Sequence, residues 1–146
     1  MTDIKVFEGI TSVSFNERLN GTVSAFHVFD KIGAGGIDID MISLDLAPND
    51  TLFVGFTLPD DDLAKVLPLI KSENITPPAV NCGNVKFVIK SEDMINCPGF
   101  AAKVFSALET ASCVPLLVTT AVDEISVLVR DSDSADVGKA LEKLFD

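Results

Sequence analysis

Apolar residues recur along this chain in two rhythms, and both rhythms are met twice. Residues 4–15 (IKVFEGITSVSF) alternate loosely between apolar and polar, which predicts extended structure with a break at Gly9 between two short strands. Residues 16–21 are polar and read as a loop. Residues 22–32 (TVSAFHVFDKI) then repeat near 3.6, and Val23, Phe26, Ile32 and Val28 with Phe29 predict a helix with one apolar face. Asn20 or Thr22 could cap that helix, because a short side-chain oxygen accepts from the first free amides. Gly33, Ala34, Gly35 and Gly36 end it, since glycine tolerates the positive φ found there. Residues 37–47 and 52–58 return to extended character around a turn at Pro48, Asn49, Asp50 and Thr51, which predicts a hairpin. Pro59 and three aspartates open a further helix reaching about residue 72. Acidic residues suit its first turn, where the helix dipole is positive, and Pro68 interrupts its pattern.

The same order then comes round again. Residues 76–84 read as a linker, with 79–82 as a short edge strand, and 85–90 as the first strand of a second copy. Residues 94–97 are its loop, Pro98 sits at or near a helix start where its missing amide costs nothing, and 99–111 is the helix. Strands follow at 114–121 and 124–130. Asp131, Ser132, Asp133 and Ser134 cap a last helix at 135–145. Residues 15–70 and 88–145 thus share one sequence of parts: strand, loop, apolar helix, two strands, helix. A repeat of this length is a whole small domain and not a solenoid unit. The expectation is an α+β chain of two sibling domains, 9–80 and 81–146, each an antiparallel or mixed sheet with helices on one face.

Composition narrows the function more than the fold. A chain of 146 residues divided in two gives domains that bury only about 60% of their unfolded surface, so they should pack on each other or on a second copy. With no Trp, no Tyr and ten Phe, the core is aliphatic plus Phe. The net charge of −11 argues against nucleic acid and anionic membrane, which require a basic footprint. No apolar run approaches the roughly 18 residues of a membrane-spanning helix. The acidic, weakly apolar start does not read as a signal peptide. Cys82, Cys97 and Cys113 are odd in number and widely spaced, which fits a reducing cytoplasm better than a disulfide framework.

Candidate chemistry is sparse. The glycines at 33–36 follow a helix instead of preceding one, the reverse of a phosphate-cradling loop. Asp60, Asp61 and Asp62, like Asp131, Asp133 and Asp136, stand at helix starts and lack the spacing of a calcium loop. His27 is the single histidine, no G-x-S-x-G is present, and the cysteines are not paired as zinc ligands are. No catalytic residue, metal or cofactor is expected. What remains are two strand-to-helix loops, 16–22 and 93–98. Each delivers free amides at a helix start, a natural place for a carboxylate, and each is equally readable as an ordinary solvated loop.

Three strings go further. Residues 37–43 (IDIDMIS), 98–108 (PGFAAKVFSAL) and 124–129 (EISVLV) resemble the tandem ACT domains of aspartokinases, and the order of segments agrees along essentially the whole chain. The resemblance implies a ferredoxin-like βαββαβ fold in each copy, antiparallel sheets, and an amino-acid feedback effector, often lysine or threonine, at an interface between ACT domains of a homodimer. Carried over by position, the first-copy site is Arg18, Leu19, Asn20, Gly21, Thr22 and Val23 with Asp38, Asp40 and Met41. The second-copy site is Met94, Ile95, Asn96, Cys97, Pro98, Gly99 and Phe100. The family's Asp-x-Pro-Gly reads Asn20-Gly21-Thr22-Val23 in the first copy, while the second keeps Pro98-Gly99. In that family a strand preceding the first ACT domain completes the second, a part residues 4–8 could play here. The family's kinase domain is longer than this chain, and its Lys-Phe-Gly-Gly start is absent. The resemblance therefore implies no enzyme by itself, but a regulatory module for an amino-acid kinase catalytic domain. The alternative is a dimerisation module with a vestigial site.

Overall fold

The computed structural model describes residues 1–73, 75 and 77–145. The two apolar rhythms fold as strands and helices in the expected order. They are β1 (Thr2–Arg18), α1 (Ser24–Ala34), β2 (Ile42–Leu46), β3 (Thr51–Pro59), α2 (Leu63–Lys71), β4 (Ala79–Ser91), α3 (Asp93–Asn96), α4 (Phe100–Thr110), β5 (Leu117–Thr120), β6 (Glu124–Val129) and α5 (Asp131–Phe145). The chain forms two compact units: Gly9–Cys82, and Met1–Glu8 together with Gly83–Asp146.

In the unit Gly9–Cys82, β3 lies between β2 and β1 and pairs antiparallel with both, Val13 facing Phe56 and Phe15 facing Val54. Period-two alternation sends Val13 and Phe15 of β1, and Leu52, Val54, Phe56 and Leu58 of β3, to one face. Ala25, Val28 and Ile32 of α1 and Val66 and Ile70 of α2 close over that face. The rings of Phe29 and Phe56 pack in a T-shaped arrangement with centroids 5.4 Å apart. Ala25 belongs to the buried stripe where Phe26 was expected; Phe26 stays 58% exposed. The aspartates after Pro59 form a single 3-10 turn (Asp60–Asp62), and Asp60 Oδ1 accepts from the fully buried Thr11 hydroxyl at 2.6 Å. Pro68 is carried inside α2.

In the other unit β6 lies between β5 and β4, both antiparallel to it, and β1 is the next neighbour of β4. Phe87 and Ile89 of β4, Phe100, Val104 and Leu108 of α4, Ile125 and Val127 of β6, and Val137 and Leu141 of α5 make its core. Residues of Met1–Glu8 join it: Ile4 packs on this core, the Thr2 hydroxyl donates to Ser91 Oγ at 3.1 Å, and Lys86 Nζ sits 4.8 Å over the Phe7 ring.

Cys113 is buried in this core, whereas Cys82 and Cys97 are exposed. Burial first, then the adjoining Asp133, pushes the Cys113 thiol from its ordinary 9.0 up to about 11. At pH 8 about one Cys113 in a thousand is then a thiolate, the reactive form. Iodoacetamide at pH 8 is expected to modify Cys82 and Cys97 and to spare Cys113 until the protein is unfolded; equal labelling of all three in the native state would contradict the burial. Because the folded thiol ionises later than the unfolded one, this group favours the folded state fully below pH 9.0, and the contribution is lost as pH rises toward about 11.

Several boundaries differ from the sequence reading. Asn16, Glu17 and Arg18, expected in a loop, continue β1 opposite Phe53, Leu52 and Thr51. Gly9 takes a positive φ of 68° without ending that strand. Regular pairing of β2 begins at Ile42 instead of residue 37, because Thr57 intrudes on the ladder: its hydroxyl and its carbonyl accept from the amides of Met41 and Asp40. The stretch expected to be a linker belongs from Ala79 onward to β4, and its residue 76 lies outside the described residues, as does residue 146 of the second predicted domain. Residues 93–96 wind into α3, since Ser91 Oγ accepts from the Asp93 amide and Cys97 closes the turn onto the Asp93 carbonyl. β5 is shorter than the predicted strand at 114–121. α5 starts at Asp131, so the acidic residues form its first turn instead of preceding it.

Candidate functional site

The two loops singled out by the sequence lead into matching helices of 11 residues each, α1 and α4. They match in backbone and differ in what meets the first amides. α1 is preceded by Val23, extended at φ −115°, with no side-chain cap from that residue. Neither Asn20 nor Thr22 is the capping residue. Glu17 takes the role from the end of β1: its Oε2 accepts from the Ser24 amide at 2.7 Å and its Oε1 from the Ala25 amide at 2.9 Å.

Strand alternation puts Glu17 there. Val13, Phe15 and Glu17 point inward in turn, and Glu17 is only 6% exposed. A carboxylate buried so far needs partners, and two amides at the positive end of a helix supply them. The corresponding series in β4 is Phe87, Ile89 and Ser91, all buried. The third member there is a hydroxyl, already engaged with Thr2 and with the amide that opens α3.

α4 starts differently. Its N-cap is Gly99 at φ +94°, a conformation that favours glycine and leaves no side chain to cap with. Pro98, Cys97, Asn96 and Ile95 are exposed, while Met94 packs partly on the core. Phe100 is buried and stacks on Phe145, ring centroids 5.2 Å apart, which fixes the start of α4 against α5. The second-copy residues are therefore gathered at one helix start.

The first-copy residues are not all gathered. Arg18 faces Thr51 at one end of β3, the Leu19 amide donates to the Asp50 carbonyl, and Asn20, Gly21 and Thr22 form the exposed turn before Val23. Asp40 and Met41 bond instead to Thr57, six residues further along β3, beside Asp38. At about 3.3 Å per residue, that is roughly 20 Å from the Arg18 end of the strand. Within one chain, Asp38, Asp40 and Met41 do not meet the loop they were grouped with.

His27 lies on the exposed side of α1, 3.7 Å from the Glu73 carboxylate, which Lys31 also approaches at 3.0 Å. Among the described residues no group of three or more His, Cys, Asp or Glu could hold a metal ion, and no helix is long and apolar enough to cross a membrane. Glu17 is the residue sequence reasoning missed. Its signal was the inward period of Val13 and Phe15, which carries on for one more step.

With this geometry in place, the likenesses to known proteins are informative. Residues 87–145 match the model of the ACT domain. The aspartokinase of Bacillus sp. (strain MGA3) is 25% identical over 141 residues, covering 94% of this chain, which spans about a third (34%) of that protein's length. The regulatory subunit of aspartate kinase from Thermus thermophilus, in its ligand-free form, superposes with a TM-score of 0.86 at 18% identity, covering 98% of this chain and 97% of that one. Escherichia coli aspartokinase III in complex with lysine and aspartate (T-state) gives 0.70 at 18% identity, covering 98% of this chain and 33% of that one. The resemblance read from the sequence is borne out: this chain has the fold of aspartokinase regulatory regions.

Proposed function

We propose that this chain is an amino-acid-binding regulatory module, built as two ACT domains, that controls an amino-acid kinase catalytic domain. The observation that carries the reading is its end-to-end likeness in fold to a regulatory subunit of aspartate kinase, together with the ACT match over residues 87–145. One solved neighbour was crystallised with lysine and aspartate, so lysine is the first effector to try and threonine, a common effector in the family, the second. The start of α4 supports the reading chemically. Its first amides lie beside a glycine that offers no cap, and free amides at a positive helix end suit the carboxylate of an amino acid. Met94, Ile95, Asn96, Cys97, Pro98, Gly99 and Phe100 would frame it. Asp38, Asp40 and Met41 would reach an effector only from a second copy, in a homodimer.

An effector of this kind acts by binding one arrangement of the dimer better than another. Such coupling is typically about 1–3 kcal/mol, and the kinase partner must change effector affinity by the same factor. Calorimetric titration of the folded protein with lysine, threonine and the other amino acids tests it. Saturable heat from at least one is expected, and Gly99→Val should weaken that binding by forcing a branched side chain into a positive φ. Silence from all of them would sink the reading, and a constant dimer indifferent to amino acids would leave assembly as the role.

A further inference from the structure

We propose that Glu17 is a built-in carboxylate ligand of α1, which closes the first unit to amino-acid carboxylates and leaves the two copies functionally unequal. The geometry is that of a bound carboxylate. One oxygen takes the Ser24 amide at 2.7 Å and the other the Ala25 amide at 2.9 Å, and the group is nearly shut off from solvent. A free amino acid arriving at this helix start would need the same two amides. It would have to displace a carboxylate tethered by its own strand, whose effective concentration far exceeds that of a dissolved ligand.

The second copy shows what the position looks like without this device. There the inward residue at the end of the strand is Ser91, whose hydroxyl serves Thr2 and the Asp93 amide and so does not reach α4. Asp93, one of the acidic residues in the connecting segment, is exposed and stands in the first turn of α3. The repeat has thus kept the helix start in both copies and filled it from within in only one.

The inequality of the copies rests on the effector reading, whereas the role of Glu17 as an internal ligand does not, and the test separates the two. In Glu17→Ala the α1 amides lose their acceptor and face a vacated space the size of a small carboxylate. Its melting temperature should fall by about 4–8 °C, the scale set by losing one helix cap in a domain of this size. Sodium acetate should restore part of that loss where sodium chloride of equal ionic strength does not, and acetate should shift the Ser24 and Ala25 amide resonances in the variant but not in the native protein. Glu17→Gln, which keeps an acceptor and fills the space, serves if the alanine variant does not fold, and its resonances should not respond to acetate. An alanine variant that melts with the native protein, or one whose Ser24 and Ala25 amides ignore acetate, would overturn the proposal. Acetate rescue combined with no heat from any amino acid would uphold the internal ligand and reject the effector reading alone.

Discussion

Deleting residues 1–8 is expected to unfold the unit built from Gly83–Asp146, or to lower its melting temperature by more than about 10 °C. The segment is the hydrogen-bonded neighbour of β4 on the side away from β6. Thr2 meets Ser91 near one end of the pair and Phe7 meets Lys86 nearer the other, so the two strands run in opposite directions. Removing it exposes the β4 backbone on that side, at about 1 kcal/mol for each hydrogen bond returned to water. It also uncovers the core where Ile4 packs, and it leaves Ser91, 1% exposed, without its Thr2 partner. Taken together the loss is on the order of 3–5 kcal/mol, and each kcal/mol moves the midpoint of a domain this size by about 4–8 °C. Thermal melting followed by circular dichroism, with amide exchange read at β4 and β6, checks it. Unchanged melting and unchanged protection of β4 would show that the segment is dispensable.

The family resemblance offers residues 4–8 as the strand that completes the second copy, and Met1–Glu8 groups with Gly83–Asp146. In the sequence Gly9 reads as a break between two short strands, whereas the chain passes there from one unit to the other within β1. Pattern alone sees a glycine interrupting an alternation, whereas the backbone takes φ +68° there and continues as β1. Helices and the central strands were legible because their burial is one-sided, as in Val28 and Ile32 of α1 or Val54 and Phe56 of β3. Boundaries were lost where a side chain replaces a backbone partner: Thr57 at the start of β2, Ser91 at α3, Glu17 at α1. Polarity at residue 17 reads as solvent exposure, and a buried carboxylate with two amide partners is the case in which that inference fails. The grouping of Asp38, Asp40 and Met41 with the Arg18 loop followed positions in a family pattern. Distance along β3 is a fact of register that no such pattern carries.

Phe56→Ala is expected to cost the unit Gly9–Cys82 about 3–5 kcal/mol, a large share of the roughly 5–15 kcal/mol that holds a domain folded. Phe56 has no solvent exposure, lies on β3 opposite Val13 and Ile42, and packs T-shaped against the Phe29 ring. Truncation removes a whole ring from a site closed by two helices, so the vacated volume cannot be refilled by a small shift. Phe29→Ala, at a half-buried position, should cost less. The double variant should cost less than the sum, by about 0.5–1.5 kcal/mol if the edge-on ring pair contributes beyond its area. Urea unfolding checks each figure, and a Phe56→Ala variant within 1 kcal/mol of the native protein would contradict this account of the core. The same variant should reach the helix start. Val13, facing Phe56, is two inward steps before Glu17 on β1. A strand loosened at Val13 holds Glu17 less firmly against Ser24 and Ala25. Those two amides should therefore exchange faster in Phe56→Ala than global unfolding accounts for.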